Sequence, residues 1–412
     1  MQLSSGSYIS ISIQVNFYFE ENYNLIIPEK IKMNFDFSEE QLMIKKTARD
    51  YAQRELFLDV TERDAKSIYP HKHVKNLAGL GFFGMLISQE YGGIGLDNIS
   101  YSLAIEEISK VDASVAVIIS VHNSLIGYGI ETFGSKDQKE KYLPLLASGE
   151  KIGAFLLSEP EAGSDASSQK TSAILTGDHY LVNGVKNWIT SADTGGIYLL
   201  IAQSSPEKGY KGINAFIVDR NSKGISLGPH EDKMGMRSSD THSVMFNDVK
   251  VPVENRIGDD GTGFKLALKL LEGGRIGISS QALGIASGAF DLALKYSKER
   301  KTFGTEIINH QGIAFKLAEM STRIEASRLL VHKAAWLKDH HQQYGTASAM
   351  AKLSASDTAM YVTTEAVQIH GGYGYVKEYY VERLMREAKV TQIYEGTSEI
   401  QKLIISRALS KE

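Results

Sequence analysis

The chain has 412 residues, enough for two or three domains or packed layers around a large apolar core. Its formal net charge of -4 argues against a nucleic-acid partner, and the absence of cysteine excludes disulfides, thiol catalysis and thiolate metal centres. Hydrophobic residues make up 42% and charged residues 23%, which is ordinary for a globular protein. No uninterrupted apolar run reaches the roughly 18 residues of a membrane span, so we predict no membrane insertion.

The first 32 residues differ from the rest of the chain. The stretch from Ile9 to Phe19 alternates and is aromatic, and no basic residue comes before Lys30. A signal peptide would begin with basic residues and a transit peptide would be rich in arginine, so neither is indicated. We expect residues 1–32 to be an extension, either disordered or produced by an upstream start at Met1 rather than Met33. We expect the protein to be cytoplasmic, of bacterial type.

Residues 33–151 are predicted to form an N-terminal helical domain. Ser38 and Gln41 have the spacing of a capping box and open the first confident helix. The stretch from Val111 to Val121 is small and apolar, which predicts a buried helix. Two histidine pairs lack supporting ligands, so we expect surface residues and no metal site: His71 with His73, and His340 with His341.

Residues 152–258 are predicted to form a middle β domain. Short apolar runs at 154–158, 197–201, 215–218 and 243–246 are typical of strands. Residues 176–184 indicate a hairpin, and Asn183-Gly184 is the dipeptide that favours its turn.

Residues 259–412 are predicted to be helical, with long helices near 264–298, 312–341 and 346–370 and two shorter ones after them. The order of helices, sheet and helices is not the alternation of a nucleotide-binding parallel sheet. The string Gly79-x-Gly81-x-x-Gly84 matches a dinucleotide fingerprint, but no strand precedes it. The fold class is therefore mainly α with a β domain in the middle.

One carboxylate near the C-terminus stands between an aromatic residue and a glycine, at Tyr394-Glu395-Gly396. A helix follows, for which Ser398 and Gln401 have capping-box spacing. A carboxylate just before a helix N-terminus suits a proton-transfer base near an anion site. The alternative is a loop glutamate before an ordinary capped helix. Judged by this stretch alone, that alternative is favoured.

Four other motifs carry possible chemistry. Ser-Glu-Pro-Glu-Ala-Gly-Ser-Asp at 158–165 is either a ligand-binding turn or an ordinary polar turn. Trp188 could lie against a flat ring while Thr190 donates a hydrogen bond to it. Alternatively, Trp188 is a core residue and Thr190 an ordinary strand residue. Arg-Lys-Thr-Phe-Gly at 300–304, followed by His310 and Gln311, suits a pyrophosphate or adenine, or is simply a solvated helix end. Gln-Ile-His-Gly-Gly at 368–372 allows close approach of a cofactor, or simply ends a helix.

These motifs, in this order and at these separations, resemble those of the acyl-CoA dehydrogenase family from about Phe35 to the end of the chain. Residues 120–125 and 274–284 are most similar to the short-chain, butyryl-type branch. The resemblance implies an N-terminal helical domain, a middle β-barrel-like domain and a C-terminal four-helix bundle. It also implies FAD as cofactor, a homotetramer, an acyl-CoA substrate and electron-transferring flavoprotein as acceptor.

By resemblance, Glu395 is the catalytic base, which removes the α-proton while the β-hydrogen leaves as hydride to flavin N5. Some relatives carry the base at the position of Gly274, where this chain has no carboxylate. The cofactor residues implied near the flavin and ribityl are Phe155, Leu157, Ser158, Gly163, Ser164, Trp188, Ile189 and Thr190. Those implied at the FAD phosphates are Thr397, Ser398 and Glu399. The adenine half, bound largely from the adjoining subunit, implies Arg300, Thr302, Phe303, Gln311, Gln368, Ile369, Gly371 and Gly372.

The acyl-CoA would contact Ser164, Glu272, Arg275, Tyr394 and Gly396, although close relatives often have aspartate where this chain has Glu272. The leading interpretation is a short-chain acyl-CoA dehydrogenase. The alternatives are a branched-chain or oxidase-like enzyme of the same fold and, from another class, a non-catalytic scaffold that binds flavin or acyl-CoA. The presence of Glu395 argues against the scaffold.

Overall fold

A computed structural model of the chain describes residues 36–411. The predicted extension at residues 1–32 lies outside the described residues. Residues Ser38–Glu412 form one compact unit, and the domain boundaries expected within it stay predictions.

Helices fill the first part of this unit. The capping box at Ser38 is confirmed, because the Ser38 hydroxyl accepts from the Gln41 amide and the Gln41 side chain accepts from the Ser38 amide. Asp97 and Asp112 cap the helices that form the buried centre of this part. Leu56, Phe83 and Ile118 are among the side chains that pack there. The helices are α1 Glu39–Arg54, α2 Val60–Lys66, α3 His71–Gly79, α4 Asn98–Ser109, α5 Ala113–Val121, α6 Tyr128–Phe133 and α7 Lys136–Ala147.

The predicted buried helix near Val111–Val121 is confirmed as α5, which continues through a π-helical stretch, His122–Gly127, into α6. Within the described residues, Ala113–Phe133 is the one helical segment long and apolar enough to cross a membrane, with mean hydropathy 1.5. However, 94% of its most apolar window is buried inside the fold. This segment is thus packed as a core helix.

An eight-stranded mixed sheet follows. Seven strands pair in the order β6-β7-β3-β2-β4-β5-β8, and β1 pairs with β4 in parallel. Its buried face carries Val182, Tyr198 and Phe216, among others. The strands are β1 Gly153–Leu156, β2 Ser172–Thr176, β3 His179–Thr190, β4 Ile197–Gln203, β5 Ile213–Asp219, β6 Ile225–Leu227, β7 Thr241–Pro252 and β8 Arg256–Ile257.

The predicted hairpin exists, but the predicted turn at Asn183-Gly184 is wrong. Thr176 pairs with His179, so Gly177 and Asp178 form the two-residue loop. Gly184 instead lies inside β3, where the pairing with β7 shifts register. Its φ is 144°, and a Cβ there would lie 2.6 Å from the Thr171 hydroxyl oxygen. The glycine therefore serves a β-bulge and a close approach rather than a turn.

Long helices return after the sheet and match the predicted ranges closely. The longest, α8, has 37 residues, and α10 packs along it and along α9. The remaining elements are α8 Gly263–Glu299, a small hairpin of β9 Lys301–Thr302 and β10 Thr305–Glu306, then α9 Gln311–Asp339, α10 Gly345–His370, α11 Val381–Val390 and α12 Ser398–Leu409.

One histidine differs from its prediction. His73 is buried rather than exposed. Its Nε2 lies 2.9 Å from Asp59 Oδ2, and its Nδ1 lies 3.0 Å from the Tyr51 hydroxyl. The ring therefore ties α3 to the preceding helices. Across residues 36–411, no three His, Asp or Glu side chains form a group that could hold a metal ion.

Candidate active site

The turn between α11 and α12 places Glu395 inside the protein. Glu395 has φ 50° and Gly396 has φ 93°, so two successive residues adopt left-handed backbone conformations. For a glutamate this conformation is strained, and such strain is concentrated at functional sites. Both carboxylate oxygens of Glu395 are buried, and neither has a hydrogen-bond partner. The protein gives this carboxylate no hydrogen bond, so it can contact a bound molecule.

Gly274, on α8, provides the space that this carboxylate occupies. A Cβ built on Gly274 would lie 2.1 Å from Glu395 Oε2 and 2.9 Å from Leu125 Cδ2. Leu125 belongs to the π-helical stretch, so α8, that stretch and the turn meet at the carboxylate.

The electrostatic surroundings favour a base that works near neutral pH. Burial raises the pKa of the Glu395 carboxyl to about 7, and the cations Arg275 and Lys352 partly oppose this rise. Arg275 is also buried, and its Nε has no hydrogen-bond partner. Burial in turn lowers the pKa of Arg275 from its ordinary value.

Two side chains hold the turn through contacts that the sequence analysis did not predict. The Gly396 carbonyl accepts hydrogen bonds from Lys352 Nζ, on α10, and from Gln401 Nε2, on α12, both at 2.8 Å. Gln401 Nε2 also lies 3.3 Å from the Glu395 carbonyl. Both side chains are fully buried.

Tyr394 is tied to α8. Its hydroxyl donates to Gln281 Oε1 on α8, and Gln281 Nε2 donates to the Ala113 carbonyl at 2.7 Å. The Tyr394 ring is therefore anchored beside Glu395 through a buried amide.

The predicted capping box of Ser398 with Gln401 is wrong. Thr397 is the N-cap of α12, and its hydroxyl accepts from the Ile400 amide at 3.4 Å. Gln401 does not reach back to the cap because its side chain is used on the Gly396 carbonyl. Ser398 Oγ is buried without a partner, and Glu399 is exposed. The Ser398 amide donates to the Gln392 carbonyl and the Ile400 amide to the Thr397 hydroxyl, so the helix start offers an anion the dipole of α12 and the unused Ser398 hydroxyl.

The structure brings the residues implied for the flavin onto two adjoining segments. The Asn187 amide donates to the Ser158 carbonyl at 2.8 Å, which joins the segment of Leu157 and Ser158 to that of Trp188, Ile189 and Thr190. Trp188, inside β3, has φ 61° and is 62% exposed. Gly163 and Ser164 lie on an exposed loop, and a Cβ on Gly163 would meet nothing within 4 Å. An exposed indole beside an open loop fits a flat ring system.

A buried ion pair supports the loop of residues 158–171, called here the flavin loop. Lys186 Nζ donates to Glu159 Oε1 at 2.8 Å and to the Leu157 carbonyl at 2.9 Å. The Glu159 carboxylate also accepts from the Lys170 and Thr171 amides. Glu159 therefore shapes the loop, a role that the sequence analysis did not assign.

The residues implied for the adenine half gather elsewhere, at the far end of α8. A cleft of about 570 Å³ is lined by Arg300, Thr302, Ile369, Gly371 and Gly372, among others. Phe303 is 99% exposed with φ 50°, and Gln311 and Gln368 are also exposed. His370 stacks on Tyr296, and its Nδ1 lies 2.7 Å from the Ala366 carbonyl, as expected for a structural histidine.

The residues implied for the acyl-CoA lie in three places. Arg275, Tyr394 and Gly396 surround Glu395 as described. Glu272, half-buried on α8, is paired with Lys269 at 2.8 Å. Ser164 lies on the loop of the flavin segments.

Known proteins match this arrangement along the chain. The N-terminal, middle and C-terminal domain models of acyl-CoA dehydrogenase match residues 38–150, 154–249 and 261–410. The chain is 49% identical over 374 residues to "Acyl-CoA dehydrogenase, short-chain specific" of Clostridium acetobutylicum, covering 91% of this chain and 99% of that relative. These matches confirm the predicted fold class.

Two solved structures are similar throughout. Butyryl-CoA dehydrogenase from Megasphaera elsdenii has a TM-score of 0.91 at 47% identity, covering 92% of this chain and 100% of that chain. A chain from a structure described as the electron transferring flavoprotein of Acidaminococcus fermentans has a TM-score of 0.91 at 48% identity, with the same coverage.

Proposed function

Because this chain belongs to the acyl-CoA dehydrogenase family, we propose that it oxidises a short-chain acyl-CoA to the trans-2-enoyl-CoA, with Glu395 as the base. The observation that carries the proposal is the buried, unpartnered Glu395 carboxylate above Gly274. The short-chain preference is supported by the names of the relatives, which specify short-chain and butyryl-CoA enzymes.

The residues around the two joined segments fit FAD. Phe155, Leu157, Ser158 and Trp188 to Thr190 would hold the flavin, and the positive end of the α12 dipole with the unused Ser398 hydroxyl would hold phosphate. FAD, when bound, supplies the acceptor for the β-hydrogen as hydride. The cleft at Arg300 would take the adenine half of a cofactor, largely that of a neighbouring subunit in a homotetramer.

Glu395 would take the α-proton. A buried carboxylate with its pKa near 7 is a stronger base than an ordinary glutamate and is still partly ionised at neutral pH. Loss of the α-proton places negative charge on the thioester oxygen. In residues 36–411 the Glu395 amide donates no hydrogen bond to another backbone group, so it is available to stabilise that oxygen. The turn thus offers the base and a hydrogen-bond donor together.

The proposal is tested with the purified, FAD-loaded protein under anaerobic conditions. It is mixed with butyryl-, hexanoyl-, octanoyl- and palmitoyl-CoA, and with isobutyryl- and isovaleryl-CoA. We expect the flavin to bleach fastest with butyryl-CoA and the product to be crotonyl-CoA. Faster bleaching with the long or branched substrates would contradict the short-chain assignment. In a separate aerobic assay, consumption of oxygen during turnover would indicate an oxidase.

We also propose electron-transferring flavoprotein as the acceptor, since one similar structure is described by that name. Substrate-reduced enzyme should be reoxidised much faster by purified electron-transferring flavoprotein than by air. Equal rates with both oxidants would contradict this part of the proposal.

A further inference from the structure

A buried lysine contacts the catalytic turn without taking part in the reaction as proposed. Lys352 is fully buried on α10, and its Nζ donates to the Gly396 carbonyl at 2.8 Å. Burying an ammonium group is costly unless it gains strong interactions. Its hydrogen bond goes to the carbonyl of the residue directly after Glu395, so the buried charge is placed at that turn.

A second helix holds the same turn. Gln401, at the first turn of α12, is fully buried, and its Nε2 donates to the Gly396 carbonyl at 2.8 Å and to the Glu395 carbonyl at 3.3 Å. One charged donor from α10 and one neutral donor from α12 therefore meet at the carbonyls of two successive residues.

These two residues are the ones whose backbone is least favourable. Glu395 has φ 50° and Gly396 has φ 93°. A strained conformation persists only where the surrounding structure over-determines it. Since the Glu395 carboxylate has no hydrogen bond of its own, its position depends on the backbone that carries it.

The charges around Glu395 come from several elements. Arg275 on α8 and Lys352 on α10 favour its ionised form. Burial lowers the pKa of Lys352 to about 8, so the lysine is still largely charged at pH 7. Other titratable groups also face these three side chains or the Tyr394 ring. They are Tyr101 on α4, Glu272 on α8, Tyr344 just before α10, Asp357 on α10, Glu387 on α11 and Glu399 on α12.

We infer that Lys352 and Gln401 are positioning residues: their hydrogen bonds hold the Glu395-Gly396 turn in its left-handed conformation, and the Lys352 charge favours the ionised base. The inference rests on the proposed function, because it concerns the base of that reaction. The two residues divide the work, since Gln401 supplies hydrogen bonds alone and Lys352 supplies a hydrogen bond and a charge.

This division gives a test, because the Lys352 and Gln401 variants should differ in their pH dependence. Lys352→Met, Lys352→Gln and Gln401→Met are compared with wild type, all loaded with FAD, for the rate of flavin reduction by butyryl-CoA across pH. Lys338→Met is the matched control: Lys338 is a buried lysine on α9 that packs on the Tyr128 ring and does not contact the turn. Thermal unfolding shows which variants are folded.

We expect Gln401→Met to slow reduction by roughly tenfold to a hundredfold with an unchanged pH profile, because a misplaced catalytic group is costly. Lys352→Met should slow it at least as much and also move the apparent pKa of the base upward. Lys352→Gln should move the pKa in the same direction. The pKa of Glu395 is measured independently by infrared titration of its carboxyl band, with Glu395→Gln as the blank.

The inference is overturned if both Lys352 variants match Lys338→Met in rate and in infrared pKa, or if Gln401→Met reduces flavin at the wild-type rate. Should Lys352→Met not fold, Lys352→Gln and Gln401→Met decide the same question. Failure of the proposed function looks different. In that case Glu395→Gln would itself turn over butyryl-CoA at the wild-type rate.

Discussion

The Glu395 carboxylate lies where a side chain on Gly274 would otherwise be. The ideal Cβ of Gly274 would be 2.1 Å from Glu395 Oε2, far inside van der Waals contact. The two residues are distant in sequence and lie on different elements, yet each constrains the other. A carboxylate at this position, presented from the turn before α12, requires a glycine at this point of α8.

Replacing this glycine should separate activity from stability. In Gly274→Ala the methyl group would push the flexible Glu395 carboxylate aside, so we expect kcat to fall roughly tenfold to a hundredfold. Alanine favours the helix by about 0.5–1 kcal/mol over glycine, so the melting temperature should change little. The control is Gly79→Ala, where a Cβ meets nothing within 4 Å. A kcat equal to that of the control would contradict the relationship.

The pH dependence of kcat/KM should report the base. Burial raises the pKa of the Glu395 carboxyl to about 7, and only the ionised form accepts a proton. We therefore expect kcat/KM for butyryl-CoA to rise about tenfold per pH unit below pH 7 and to level off above it. A flat profile between pH 5 and pH 8 would show that this carboxyl is not the base.

The same carboxyl should make stability depend on pH. Because its pKa is higher in the folded state, the folded protein keeps a proton that the unfolded chain releases, so its contribution is present below about pH 4.5 and lost as pH rises through about 7. Relative to Glu395→Gln, the wild type should lose roughly 3 kcal/mol of unfolding free energy between acidic and alkaline pH. Denaturant unfolding of both proteins at saturating FAD measures this difference. Parallel pH curves would contradict it.

The buried pair of Lys186 and Glu159 should control the flavin loop. Lys186→Met leaves the Glu159 carboxylate without its cation and the Leu157 carbonyl without its donor. Removing one partner of a buried ion pair costs about 3–5 kcal/mol. We expect lower stability and weaker FAD retention, measured by melting temperature and by flavin released on dilution. As a control, Lys170→Met removes an exposed ion pair with Glu161 on the same loop and should retain FAD.

Local patterns predicted most of the fold. The capping box at Ser38 and the apolar run of α5 depend on neighbours in sequence, so the sequence alone could predict them. The Asn183-Gly184 turn failed because a tertiary contact with Thr171, invisible in sequence, determines why a glycine stands there. The Ser398 cap failed by one residue because Thr397 has the same chemistry and Gln401 has a competing partner.

Motifs in the sequence predicted part of the site. The family resemblance of the Glu395 turn is confirmed by matches over nearly the whole chain, while the role of each site residue stays a prediction. Lys352 and Lys186 were missed, and Gln401 was given a capping role instead of its contact with the Gly396 carbonyl. Nothing in the sequence around these residues marks a buried polar side chain. Their roles arise only when α10, α12 and the sheet are brought together.

The length of α8 has a genetic consequence. At a rise of about 1.5 Å per residue, Arg300 at the end of this 37-residue helix lies about 39 Å from Gly274 and the base beside it. If each cofactor bridges two chains, one complete site takes its Glu395 and its Arg300 from different copies. Two inactive alleles, one encoding Glu395→Gln and the other Arg300→Ala, should then complement each other when co-expressed, since some mixed oligomers would contain an intact site.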